Sequence, residues 1–99
     1  MTKYKQFFRD MSDQHEELFK RFDEIHAGYL EDRKEWSTKF HGVGQEVVDI
    51  MREYEQRLCA GMERSKNGVY SMKLADKWWE EIKKRYSHIE LVGVKSNLD

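Results

Sequence analysis

KFHGVGQEVV, residues 39 to 48, contains two glycines one residue apart, and the fold turns on whether they end a helix. Glycine lowers helix propensity by about 1 kcal/mol relative to alanine, so a pair this close marks a natural turn. Taken as a break, His41-Gly42-Val43-Gly44 separates a long first helix from a second one. A second break is expected at Ser65-Lys66-Asn67-Gly68, where an Asn-Gly pair follows a polar run and suits a helix C-cap. With no proline anywhere, nothing else punctuates the chain so strongly.

Three helices follow from these breaks, near residues 3–40, 45–66 and 71–87, with a tail over 88–99. Before the first break, Phe8, Met11, His15, Leu18, Phe22, Ile25 and Tyr29 recur at alternating spacings of 3 and 4, a heptad-like seam that a strand could not produce. The same register next reaches Asp32, a polar interruption, and then Trp36. Val47, Met51, Tyr54, Leu58 and Met62 form the stripe of the second helix, and Met72, Ala75, Trp79, Ile82, Tyr86 and Ile89 that of the third. Beyond Tyr86, the segment 88–94 loses helical spacing and gains β-branched residues, which suggests an extended apolar tail. The fold class read from this is all-α: a single-domain three-helix bundle whose long first helix forms an antiparallel hairpin with the second.

Length and composition fit that reading. Ninety-nine residues make one domain, and 37% charged residues beside thirteen percent aromatics describe helices with solvated outer faces rather than a disordered chain. Glu16–Lys20, Glu17–Arg21, Glu80–Lys84 and Glu81–Arg85 are helix-supporting pairs four residues apart, with the acid leading. The formal net charge of −1 gives no general attraction to nucleic acid or anionic membrane. No apolar run approaches a membrane span, the start has no signal-peptide core, and the one cysteine excludes an internal disulfide, so a cytoplasmic location is expected.

The first helix, at about 57 Å if continuous, outruns a second helix of about 33 Å. Its N-terminal end, with Phe7, Phe8, Met11, Leu18 and Phe19, then needs a cover: a second copy, the C-terminal segment, or a break in helix one near Ala27-Gly28. A second copy is favoured, which makes the protein a homo-oligomer.

The paired tryptophans of ADKWWEEIKKRY, residues 75–86, point about 100° apart on a helix. Trp79 is assigned to the seam and Trp78, aligned with Leu74, to a neighbouring stripe; either both rings are core, or Trp78 stands at the rim of a partner surface with Leu74, Leu91 and the rest of the 88–94 segment.

Candidate chemistry is sparse. His15 and His26 share a face but stand about 16 Å apart, too far for one metal without ligands from elsewhere. Asp23 and His26 have the i, i+3 spacing of carboxylate and histidine found in bundle-borne dimetal sites, yet the second copy of such a motif is missing. Cys59 is expected as a small buried hydrophobe. A metal or haem site would have to draw on His15, His26, Asp23 or Cys59, and no cofactor is expected. Lys83, Lys84 and Arg85 form a basic end to the last helix that suits the helix dipole, with Asp76, Glu80 and Glu81 weakening any attraction to phosphate. No nucleotide-binding, zinc or nucleophile-elbow motif occurs, and no acid, base and nucleophile can be placed together, so no intrinsic catalysis is expected. The leading expectation is a self-associating module or accessory subunit that binds another protein. A histidine-based metal or haem bundle and a nucleic-acid-binding regulator are its alternatives.

Overall fold

The computed structural model describes residues 3–63 and 72–94. All regular structure among them is helical: α1 (Lys3–Gln14), α2 (Glu16–Glu31), α3 (Arg33–Glu63), α4 (Met72–Arg85) and a 3-10 turn over Ile89–Leu91. Among the described residues no helix is long and apolar enough to cross a membrane. The expected turn at Ser65–Gly68 and the end of the tail, 95–99, lie outside the described residues.

The breaks fall elsewhere than the glycines suggest. α3 runs straight through Gly42-Val43-Gly44. Phe40, Val43, Val47, Met51, Tyr54 and Leu58 are all buried, so the apolar period of α3 crosses both glycines without interruption. That buried stripe outweighs a propensity cost of about 1 kcal/mol per glycine. Gly44 is also where other elements come close: a Cβ there would stand 2.8 Å from Val92 Cγ2 and 3.2 Å from Phe22 Cε1. It is a packing glycine, whereas Gly42 faces open space.

The long first helix is divided twice. At His15 the backbone leaves helical geometry (φ −120°, ψ 38°), while His15 N still donates to the Met11 carbonyl at 3.1 Å and Phe19 N to the His15 carbonyl at 3.0 Å. The true turn is Asp32, extended at φ −146° and ψ 91°. Its N–H closes α2 on the Gly28 carbonyl at 2.8 Å, and its Oδ1 accepts the Glu35 N–H at 3.1 Å to cap α3. One residue therefore ends one helix and starts the next.

α2 folds back along α3 as an antiparallel hairpin. Near the turn, the Trp36 ring lies on Gly28, where a Cβ would come within 2.2 Å. Farther along, Tyr29 stacks on Phe40 with centroids 3.8 Å apart, and Phe22 meets Phe40 and the Gly44 backbone. At the far end His15 stands edge-on to Tyr54, whose hydroxyl donates to Gln14. At 1.5 Å per residue α3 is about 46 Å long, close to the molecule's 48 Å long axis.

α4 supplies the cover that the N-terminal end requires. Phe8 meets the Trp78 ring at 6.1 Å, Met11 is fully buried, and Arg85 reaches Ser12 Oγ at 3.3 Å. The mismatch in helix length that pointed to a second copy disappears, because no uninterrupted 38-residue helix exists and α4 lies against α1. The segment after α4 is not extended. Ile89 N donates to the Tyr86 carbonyl, Leu91 N to His88 and Val92 N to Ile89, a succession of tight turns that buries Ile89.

Candidate interaction cleft

The tryptophan assignment is corrected by burial. Trp78 is fully buried, with Nε1 donating to the Met51 carbonyl at 3.2 Å; Trp79 is half-buried and donates to Glu55 Oε2 at 2.9 Å. Ala75, Trp78, Ile82 and Tyr86 are the core positions around α4. A buried indole N–H needs an acceptor, and the Met51 carbonyl supplies it for Trp78.

Trp79 consequently lines a cleft of about 280 Å³ between α3, α4 and the C-terminal turns. Val48, Ile89 and Val92 complete its apolar wall, with Arg52, Lys83 and Glu90 at its polar edge. Lys83 Nζ lies 3.2 Å from Glu90, so these two charges offset each other. Arg52 is exposed and makes no ion pair among the described residues. The cleft thus presents an indole face, three aliphatic side chains and the Arg52 guanidinium. Its volume suits a single large side chain or a small ligand.

The C-terminal wall of this cleft is held by two histidines. His26, on α2 and only 6% exposed, accepts the His88 backbone N–H through Nε2 at 3.2 Å. His41, on α3, accepts the Gly93 N–H through Nδ1 at 3.0 Å. Gly93 itself has φ +82°, a left-handed conformation that favours glycine and aims this N–H back at α3. Burial among Phe22, Phe40 and Tyr86 lowers the pKa of His26, the nearby His88 lowers it further, and Asp23 acts in the opposite direction.

Of the expected partner-surface residues, Trp78 and Met11 are in the core, while Phe7, Phe8, Leu74 and Leu91 are half-buried. Leu74 and Trp78 do not line the cleft; Ile89 and Val92 from the 88–94 segment do. The missed contributors are Trp79 and two residues of α3, Val48 and Arg52.

The candidate metal ligands are dispersed into other work. Asp23 receives Arg85 in a bidentate pair (Nε to Oδ1 at 3.1 Å, Nη2 to Oδ2 at 2.8 Å), His26 holds the His88 backbone, and Cys59 is fully buried. No three of His, Cys, Asp and Glu converge among the described residues. The basic end of α4 is also occupied: Lys83 faces Glu90, Lys84 faces Glu81 at 3.3 Å, and Arg85 faces Asp23. Three cations matched by three carboxylates make a poor phosphate clamp.

Comparison with known proteins adds no relative: no family model matches the chain, and no curated protein or solved structure is significantly similar to it.

Proposed function

We propose that this chain is a small helical interaction module that docks a segment of another protein in the Trp79 cleft. The occupant is a large apolar side chain with a carboxylate close to it. The observation that carries this reading is the pairing of a half-buried indole with Arg52, which has no ion-pair partner among the described residues, across a cleft of about 280 Å³. The indole and Val48, Ile89 and Val92 favour the apolar side chain, and Arg52 favours the acid. Aromatic and arginine anchors of this kind dominate binding energy in protein interfaces.

Selection of a displayed random peptide library on the purified protein tests the reading directly. Enriched peptides are expected to share an aromatic or large aliphatic residue next to Asp or Glu. Their affinity should fall about 30-fold with Trp79→Ala, the loss of a hot spot of about 2 kcal/mol, and should also fall with Arg52→Glu. Circular dichroism would confirm that both variants stay folded. Failure to enrich a motif, or binding indifferent to both substitutions, sinks the reading.

Self-association through α1 now rests on less. Met11 and Phe8 are engaged within the chain, which leaves half-buried Tyr4 and Phe7 on that helix. Sedimentation of the unmodified chain and of Phe7→Glu measures it: a concentration-dependent dimer lost in the variant supports the contact, and a monomer at micromolar concentration removes it.

A further inference from the structure

We propose that residues 86–94 form a strap released by protons, held over α3 by the neutral imidazoles of His26 and His41 and detached when both become protonated. Each histidine accepts a backbone N–H of this segment, His88 N–H at His26 Nε2 and Gly93 N–H at His41 Nδ1. An imidazolium has N–H on both nitrogens and cannot accept, so protonation turns each hydrogen bond into two opposed donors. The two attachment points lie five residues apart in the strap and on different helices, α2 and α3. Between them lie Ile89, Glu90 and Val92, which line the docking cleft. Losing both attachments leaves the strap anchored by the Tyr86 and Ile89 side chains, by Val92 against Gly44 and by the Glu90–Lys83 ion pair.

The groups facing each histidine set the direction of the response. Around His26 they are Asp23 from its own helix, His88 from the strap and the Tyr86 phenol from the end of α4; α3 contributes the uncharged Phe40 ring. Asp23 favours protonation, but its carboxylate is engaged by Arg85. Burial and His88 together outweigh it and keep the ring neutral. Protonated Tyr86 carries no charge to oppose this, since burial raises its pKa and its hydroxyl donates to the Phe19 carbonyl at 3.2 Å. Around His41 stand Tyr29 from α2, with the Arg33 guanidinium over the Tyr29 ring, and Phe40 from α3. Gln45, beside Gly93, is turned to Asp49. The neutral form of His26 is favoured by folding, so the closed strap is stable above the ordinary histidine pKa of 6.5 and weakens as pH falls below it.

The effect of release on docking rests on the proposed function; release itself does not. Amide hydrogen exchange of the full chain, followed by NMR between about pH 7.5 and pH 5.5 and corrected for intrinsic rates, reads it without any peptide. Protection at His88 and Gly93 is expected to drop by up to about tenfold per pH unit for each histidine that takes a proton, while Val47 and Met51 in α3 keep theirs. His26→Gln with His41→Gln, which offers amide oxygens that accept without titrating, should make protection at both sites independent of pH. If that double variant does not fold, His41→Gln alone, read at Gly93, serves the same purpose. The proposal is overturned by protection that stays constant down to pH 5.5, by a loss shared with Val47 and Met51, or by the same loss in the glutamine variant. Repeating the exchange with a selected peptide bound then asks the separate question of docking: protection of the strap by the peptide at pH 7.5 connects strap and cleft, and its absence leaves the strap result standing while removing the link.

Discussion

Trp78 and Trp79, neighbours in sequence, donate their indole N–H groups to acceptors one turn apart on α3, the Met51 carbonyl and the Glu55 carboxylate. The first bond is buried and the second half-buried, so adjacent identical residues play different parts. Both rings fix the depth of α4 on α3. One does so from the core and the other from the rim of the cleft.

Replacing them separately should give unequal losses. Trp78→Ala removes a fully buried ring and leaves a cavity against Phe8 and Met51, which costs about 3–5 kcal/mol. Trp79→Ala should cost about 1–2 kcal/mol, reflecting partial burial and one lost hydrogen bond. Urea melts of the two variants provide the comparison, and equal losses would contradict the assignment of Trp79 to the rim.

The glycines of α3 should respond in opposite directions. Gly42→Ala meets nothing within 4 Å and should stabilise by about 0.5–1 kcal/mol through helix propensity and a less flexible unfolded chain. Gly44→Ala gains the same propensity but drives a methyl group to 2.8 Å from Val92 Cγ2 and 3.2 Å from Phe22 Cε1. Overpacking of this kind costs about 1–3 kcal/mol, so a net loss is expected, together with loosening of the strap at Val92. Thermal melts of the two single variants suffice to show whether the signs differ.

The α2–α3 turn depends on one side chain. Asp32→Ala removes the acceptor for the Glu35 N–H and should cost about 1 kcal/mol. Asp32→Asn retains a side-chain oxygen and should cost less. A larger effect of Asn than of Ala in chemical denaturation would show that the cap contributes little.

The helical class and most of the core were legible, because the 3 and 4 spacing of Phe22, Ile25 and Tyr29 and of Val47, Met51, Tyr54 and Leu58 survives intact in the buried set. The boundaries were misread where two signals competed. Asp32-Arg33-Lys34-Glu35 carries an acidic N-cap with Glu at the third helical position, a start signal that the glycines overshadowed. The buried period through Phe40, Val43 and Val47 was equally visible and argued against a break there. At the tryptophans, spacing is symmetrical: Ala75 to Ile82 is divided as 3 and 4 by Trp78 and as 4 and 3 by Trp79, so periodicity alone selects neither. The deciding partner, the Met51 carbonyl, is a tertiary contact. The cleft was illegible for the same reason, since Arg52 and Trp79 meet only after α4 has docked on α3. The histidines gave even less warning, because the donors they accept from are backbone N–H groups, which every residue but proline possesses.

Asp23 and Arg85, 62 positions apart, join α2 to the end of α4. Partial burial, the largest single influence, pulls the Asp23 carboxyl upward, but Arg85 and the Tyr86 hydroxyl together outweigh it and hold the pKa below its ordinary value of 3.8. A carboxylate depressed on folding stabilises the native state above the unfolded-state pKa, and that contribution disappears as pH falls through the lowered native value. Stability should therefore decline below about pH 4 with a component that Asp23→Asn removes. Both side chains are partly exposed, 42% for Asp23 and 32% for Arg85, so solvent screening limits the pair to about 1 kcal/mol. Arg85 also lies over the Phe19 and Tyr86 rings and reaches Ser12, so Arg85→Met should cost more than Asp23→Asn. A double-mutant cycle at neutral pH separates the contributions: a coupling energy near 1 kcal/mol assigns the acid sensitivity to the ion pair. A coupling of zero would assign Arg85 to packing alone and leave the Tyr86 hydroxyl to account for any acid sensitivity that Asp23→Asn removes.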